Sequence, residues 1–329
     1  MIRKRLRWGL LSTARINRRL VPAIRAAERA DLVAVASRSQ SSADAYAADW
    51  EIPHAHGSYS ALLADDDLDA VYISLPNSLH AEWAVKAAEA GKHVLCEKPL
   101  ALTVSECNQI ISAAESAGVV AMEALLYLHH PLLQKARTMV QDGAVGRVDF
   151  VRGSFSFVLD RPADVRWKSE LGGGSLRDVG IYPVSFIRWI AGEPESVFGW
   201  QVLGESGVDV TFAGLLHLAG GALGCFDCSF RQQFRAQVEV VGAEGSLVVE
   251  RPFLLGNQSR IVLQRGFDEE QIQVAGADAY RCEVEALTAA ALDGAPLPVP
   301  LAFSRGGVAA LVALHESAAI GEPVQISQA

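Results

Sequence analysis

The chain has 329 residues, 50% hydrophobic and 20% charged, with 29 Lys and Arg against 38 Asp and Glu and a formal charge of −9. Such a composition belongs to a folded chain of about two domains, each long enough to bury a core, and excludes a disordered or fibrous protein. The acidic balance also excludes nucleic acid or an anionic membrane as the main partner, because both need a basic surface.

Met1-Ile2-Arg3-Lys4-Arg5 is basic, yet the apolar run Trp8 to Leu11 is too short for a signal sequence, and Arg15, Arg18 and Arg19 soon interrupt it. No segment approaches the roughly 20 apolar residues of a membrane span, so a cytoplasmic protein is expected. The five cysteines at 96, 107, 225, 228 and 282 fit a reducing compartment. Cys225 and Cys228 form a C-x-x-C inside a strand-like run, where residues three apart point to opposite faces. Buried packing thiols and no metal site are expected.

Up to about residue 124 the chain alternates strand and helix. Strands are expected at 6–11, 32–37, 70–75, 93–96 and 119–122, with helices at 18–30, 41–49, 59–64, 81–91 and 104–117. Continuous apolar strands separated by helices predict a parallel sheet covered on both faces. From Val148 the pattern changes. Strands at 147–158, 196–203, 208–218, 222–230, 236–241 and 246–250, joined by glycine-bearing turns, predict an open antiparallel sheet. Helices at 280–292 and 304–319 follow. The fold class is thus α/β: a domain over 1–124, then an α+β domain over 125–329 whose last helix can pack back on the first.

The first strand runs into Gly9-Leu10-Leu11-Ser12-Thr13-Ala14-Arg15-Ile16. Against G-x-G-x-x-G/A this keeps Gly9 and Ala14 but has Leu11 for the middle glycine, while Ser12 and Thr13 can offer hydroxyl and backbone N–H groups to a phosphate. Past the second strand stands Ala36-Ser37-Arg38-Ser39, with no carboxylate for a ribose and an arginine suited to a 2′-phosphate, so NADP is expected before NAD. Leu75-Pro76-Asn77 would shape a loop along the dinucleotide, and His80 would cap the next helix or lie in solvent.

Hydride transfer at a carbinol carbon needs a proton-exchanging group and a charge that steadies the oxygen. Lys98, in Glu97-Lys98-Pro99 at the end of a strand, can supply the charge. Tyr182 offers a phenol, and Asp178, four residues earlier on the same helix face, can position it. Gly172-Gly173-Gly174-Ser175 permits a tight turn into that helix and close approach of a substrate.

These segments, with Leu75-Pro76-Asn77 and His80, resemble the glucose–fructose oxidoreductase / inositol dehydrogenase / rhizopine catabolism family over nearly the whole chain. That resemblance implies a catalytic lysine at Lys98, the family aspartate at Asp178, and a tyrosine proton donor at Tyr182 where many members have histidine. It also implies a Rossmann dinucleotide-binding domain followed by an α+β domain, cofactor contacts from His80, Glu97 and Lys98, and an open sheet that makes a homodimer or homotetramer. The run Met122 to Pro131, with Leu128-His129-His130, looks like the nucleotide-sugar 3-ketoreductases and implies Tyr127 and His129 near the substrate. Asp164-Val165-Arg166-Trp167 resembles a segment near cofactor and substrate in that branch. The expected activity is NADP-dependent hydride transfer on a sugar or cyclic polyol. Alternatives are a D-xylose or trans-dihydrodiol dehydrogenase, or, in another class, a dinucleotide-sensing regulator without need of Lys98 and Tyr182.

Overall fold

A computed structural model describes residues 4–256 and 259–326. The elements in chain order are β1 (Leu6–Leu11), α1 (Asn17–Ala26), β2 (Ala30–Ala36), α2 (Gln40–Trp50), β3 (His54–His56), α3 (Tyr59–Leu63), β4 (Ala70–Ile73), α4 (His80–Glu89), β5 (His93–Cys96), α5 (Val104–Ala117) and β6 (Ala121–Glu123). These six strands form one parallel sheet in the order β3-β2-β1-β4-β5-β6. Its strands are buried on both sides: Trp8, Leu10, Val71, Tyr72 and Leu95 have no accessible surface. Helix starts follow local chemistry, with Ser39, Ser58 and Thr103 accepting from the third backbone N–H of α2, α3 and α5. Strand order reverses between β1 and β4, which opens a ligand crevice at the carboxyl ends of those strands.

Then come α6 (Pro131–Gln141), β7 (Val148–Ser156), α7 (Ile181–Ala191), β8 (Pro194–Leu203), β9 (Asp209–Leu218), β10 (Leu223–Ser229), β11 (Arg235–Gly242), β12 (Gly245–Glu250), β13 (Arg260–Arg265), β14 (Asp268–Ile272), α8 (Ala279–Asp293), α9 (Leu301–Ile320) and β15 (Val324–Gln325). The second sheet has nine strands, ordered β14-β13-β12-β11-β7-β10-β9-β8-β15. It is mainly antiparallel, as expected, but β7 and β10 run parallel. Along β9, Val210, Phe212, Leu216 and Leu218 are buried while Ala213, Leu215 and His217 are exposed, the period of a one-sided sheet. Helix α7 packs against β7 and β10 on the buried side.

The chain divides into two compact units: residues up to His129 with Asp278–Arg305, and His130–Ala277 with the residues from Gly306 on. The sequence places one boundary at 124/125 and leaves α8 to the second domain. In the structure α8 belongs to the first unit, where it packs on α1 and β2. No helix of the described residues is long and apolar enough to cross a membrane.

Candidate active site

In the first unit the β1–α1 turn is built on a buried polar network. Ser12 Oγ lies 2.7 Å from Ser74 Oγ and accepts from Ala14 N at 3.1 Å. The Ser74 hydroxyl donates to Asn17 Oδ1 at 2.7 Å, and Asn17 Nδ2 donates to Ser12 O at 2.7 Å. Loops after β1 and β4, which flank the crevice, are thereby tied together. Ser12 turns its hydroxyl inward and takes up the Ala14 N–H, so its expected hydroxyl contact to phosphate is corrected: the backbone of Thr13, Arg15 and Ile16 is what the turn can offer. Gly9 lies within β1, where a Cβ would stand 2.7 Å from Leu68 Cδ1, so packing against Leu68 also favours a glycine there.

This end suits an anionic dinucleotide. Helix α1 has no side-chain cap and no acid in its first turn, and Arg15, Arg18 and Arg19 are exposed beside it. Arg38 is exposed past the carboxyl end of β2, flanked in sequence by Ser37 and Ser39. Ser37 is buried and donates its backbone N–H to His56 O at 3.1 Å, while the Ser39 hydroxyl caps α2. Among Ser37, Arg38 and Ser39, only the arginine side chain is left to reach a 2′-phosphate.

Lys98 follows β5, with a cis peptide bond to Pro99. Its neighbours form an acidic shelf. Tyr72 Oη donates to Glu97 Oε1, Lys98 N donates to Glu97 Oε2 at 3.3 Å, and Leu100 N donates to the buried Glu123 Oε1 at 2.9 Å. Burial, then the Glu97 charge, pushes the Tyr72 phenol well above its ordinary value. His80 is neither a cap nor solvated. It is fully buried, its Nδ1 2.8 Å from Pro99 O and its Nε2 2.8 Å from Leu75 O, and so clamps two of the predicted loops. Burial holds its pKa below the ordinary histidine value, against the pull of both carbonyls.

Sequence reading missed Glu283 of α8. This side chain is fully buried, neither carboxylate oxygen has a hydrogen-bond partner among the described residues, and burial followed by the Glu97 charge drives its pKa well up. A signal did exist: Ala279, Glu283, Leu287 and Ala290 share one helical face, and all are buried. Tyr127 has no accessible surface, a core position that does not fit the substrate contact expected of it. His129 is buried, neither ring nitrogen has a partner among the described residues, and burial lowers its pKa to about 4, so the ring is neutral. His130 accepts from Leu132 N and caps α6 ahead of Pro131.

In the second unit Asp178 sits in a π-helical turn, Leu176–Gly180, that runs directly into α7 and Tyr182. Single π-turns of this kind concentrate at functional sites. Asp178 and Tyr182 are each 9% exposed. Arg166 Nε donates to Asp178 Oδ2 at 2.6 Å and Arg166 Nη1 to Asp164 Oδ1 at 3.1 Å; the Asp178 charge raises the guanidinium pKa further. The structure thus brings Arg166 to Asp178. The Tyr182 ring packs against Phe155 and Phe253, each 5.3 Å away between centroids. Trp167 donates its Nε1–H to Arg161 O and sets its ring edge-on to Phe230. The glycine run is also corrected: a Cβ on Gly173 would stand 2.3 Å from Arg166 O, so the close approach it permits is by the chain's own backbone. Cys228 is buried and Cys225 half-buried on the opposite face; both are free thiols, and no metal-binding cluster occurs among the described residues.

The model of an oxidoreductase family with an NAD-binding Rossmann fold (GFO/IDH/MocA) matches residues 6–125, and that of the GFO/IDH/MocA C-terminal domain matches 133–248. A D-xylose 1-dehydrogenase (NADP(+)) of Haloferax volcanii is 38% identical over 324 residues, 97% of this chain and 99% of that protein. A dTDP-3,4-didehydro-2,6-dideoxy-alpha-D-glucose 3-reductase of Saccharopolyspora spinosa is 37% identical over 255 residues, 77% of this chain and 76% of that one. Among solved structures, the 3-ketoreductase KijD10 of Actinomadura kijaniata, in complex with NADP and TDP-benzene, superposes with a TM-score of 0.89 at 28% identity, covering 95% of this chain and 98% of its own.

Proposed function

We propose, from the premise that this chain belongs to the GFO/IDH/MocA oxidoreductase family with its NAD-binding Rossmann fold, that it is an NADP-dependent oxidoreductase of a sugar or related cyclic polyol. The observation that carries this reading is Lys98 at the carboxyl end of β5, the edge where such a sheet takes its dinucleotide. Bound NADPH supplies the hydride delivered to the carbonyl carbon. The Lys98 ammonium polarises the substrate oxygen, and the Tyr182 phenol gives up the proton that completes the hydroxyl; oxidation runs the same steps backwards. Asp178, neutralised by Arg166, fixes the helical turn that presents Tyr182. The resemblance puts His129 near the substrate; its ring is neutral and buried, and its nitrogens have no hydrogen-bond partner among the described residues.

Arg38 reads the 2′-phosphate. Titrating the protein with NADPH and NADH by nicotinamide fluorescence should show much tighter NADPH binding. Arg38→Ala should weaken NADPH by about 1.5–3 kcal/mol, the usual worth of a charged hydrogen bond, with NADH little changed. An equal loss for both would remove Arg38 from that role.

The full-length match to a D-xylose 1-dehydrogenase (NADP(+)) makes D-xylose the first substrate to try, and the likeness to the 3-ketoreductase KijD10 over 95% of the chain makes ketosugars the second. The assembly is a homodimer or homotetramer through the open face of the second sheet, where Trp200, Val202, Leu215 and Leu223 are exposed.

A further inference from the structure

We infer that Asp209, which no sequence motif marks, is the positioning residue of the catalytic helix: it grips the backbone at the start of the π-turn and so sets where Asp178 and Tyr182 stand. This rests on the roles proposed above for that pair.

Asp209 opens β9 and is 3% exposed. Its Oδ2 takes two donors from the helix start, the Ser175 hydroxyl at 2.6 Å and the Leu176 backbone N–H at 2.7 Å. Oδ1 faces His315 Nε2 of α9 at 3.3 Å. Gly174 completes the fit, since its φ is +112° and a Cβ there would lie 2.2 Å from Oδ1. Burial alone would raise the pKa of this carboxyl. Hydrogen bonds from His315, Ser175 and Leu176 more than offset burial and hold the pKa below the ordinary value, so the group is an anion at neutral pH.

A buried anion on the first N–H groups of a helix is worth most where those groups have no water to turn to. Ser175 and Leu176 have no accessible surface. Removing the carboxylate would strand two buried donors at the point where the chain enters its π-turn. Asp178 lies only two residues further on, with its N–H bonded to Gly174 O at 3.2 Å. A shift there moves Asp178 and Tyr182 together, and misplacement by about 1 Å costs on the order of 10²-fold in rate.

The test uses the full chain saturated with NADPH or NADP+, in Asp209→Ala and Asp209→Asn. Asn keeps one oxygen acceptor for Ser175 and Leu176. Amide hydrogen exchange over 174–182 should rise about tenfold or more in Asp209→Ala, the effect of losing a buried hydrogen bond to charge, and stay near wild type in Asp209→Asn. With D-xylose and NADP+, kcat should fall about 10²-fold in Asp209→Ala, recover to within a few-fold in Asp209→Asn, and leave the NADP+ dissociation constant unchanged. Unaltered exchange in Asp209→Ala overturns the grip, and faster exchange with unaltered kcat overturns its part in catalysis. If Asp209→Ala does not fold, Ser175→Ala removes one donor to the same oxygen and should give a smaller rise over the same amides. Tyr182→Phe run alongside separates the readings: full activity there sinks the proposed function, whereas the exchange result still judges the grip.

Discussion

At the residue scale, side chains near the chemistry divide into those the sequence exposes by pattern and those it hides. Lys98, Asp178 and Tyr182 stand in short, distinctive segments. Glu283, His80 and Asp209 act through what they are buried against, and no local pattern states a long-range partner. Glu283 gives a sharp test. Its folded pKa lies above its unfolded one, so the folded state keeps its proton longer. Stability is then full below about pH 4.3 and declines as pH rises towards the folded pKa. Glu283→Gln, neutral throughout, should equal wild type near pH 4.5 and melt a few degrees higher at pH 8. A difference in Tm that does not vary with pH would contradict the buried, proton-holding carboxyl.

At the scale of elements, α7 lies close upon the second sheet because that sheet is locally bare. Gly153 of β7 faces Pro183, and a Cβ there would come within 2.7 Å of Pro183 Cβ. Gly153→Ala should therefore lift the start of α7 and cost about 1–3 kcal/mol, the usual toll of overpacking, read as a lower denaturant midpoint with NADPH binding unchanged. An unmoved midpoint would mean the helix has room to spare. Element positions were legible wherever the apolar period was strong: β1, β5 and α5 begin and end where the pattern puts them. Strands β3, β13, β14 and β15 and helix α6 escaped the pattern. Strand β3 is three residues with two histidines, β14 (Asp-Glu-Glu-Gln-Ile) is an edge strand paired with β13, and the parallel pairing of β7 with β10, equally hidden, joins segments far apart in sequence. The π-turn at Asp178 was equally hidden, since its contacts come from distant strands: Leu176 N donates to Asp209 Oδ2, and a Cβ on Gly180 would stand 2.8 Å from Cys228 Sγ.

At the scale of the whole molecule, the open face of the second sheet is the proposed subunit interface. Phe198, Trp200 and Leu215 form an apolar strip on paired strands β8 and β9, with Trp200 66% and Leu215 55% exposed. The Leu215→Glu and Trp200→Glu variants should each shift the light-scattering mass from that of an oligomer to that of one chain. A wild-type chain already monomeric would end the oligomer proposal. The central claim, that this family member moves hydride with Lys98 and Tyr182, is tested most directly by turnover in Lys98→Ala and Tyr182→Phe. NADPH consumption at 340 nm would be followed across a panel of ketosugars, and NADP+ reduction across aldoses, with NADPH binding measured in parallel. The account predicts a loss of about 10²–10⁴-fold in kcat for each variant, with NADPH affinity kept within a few-fold. Wild-type turnover in either variant would contradict it.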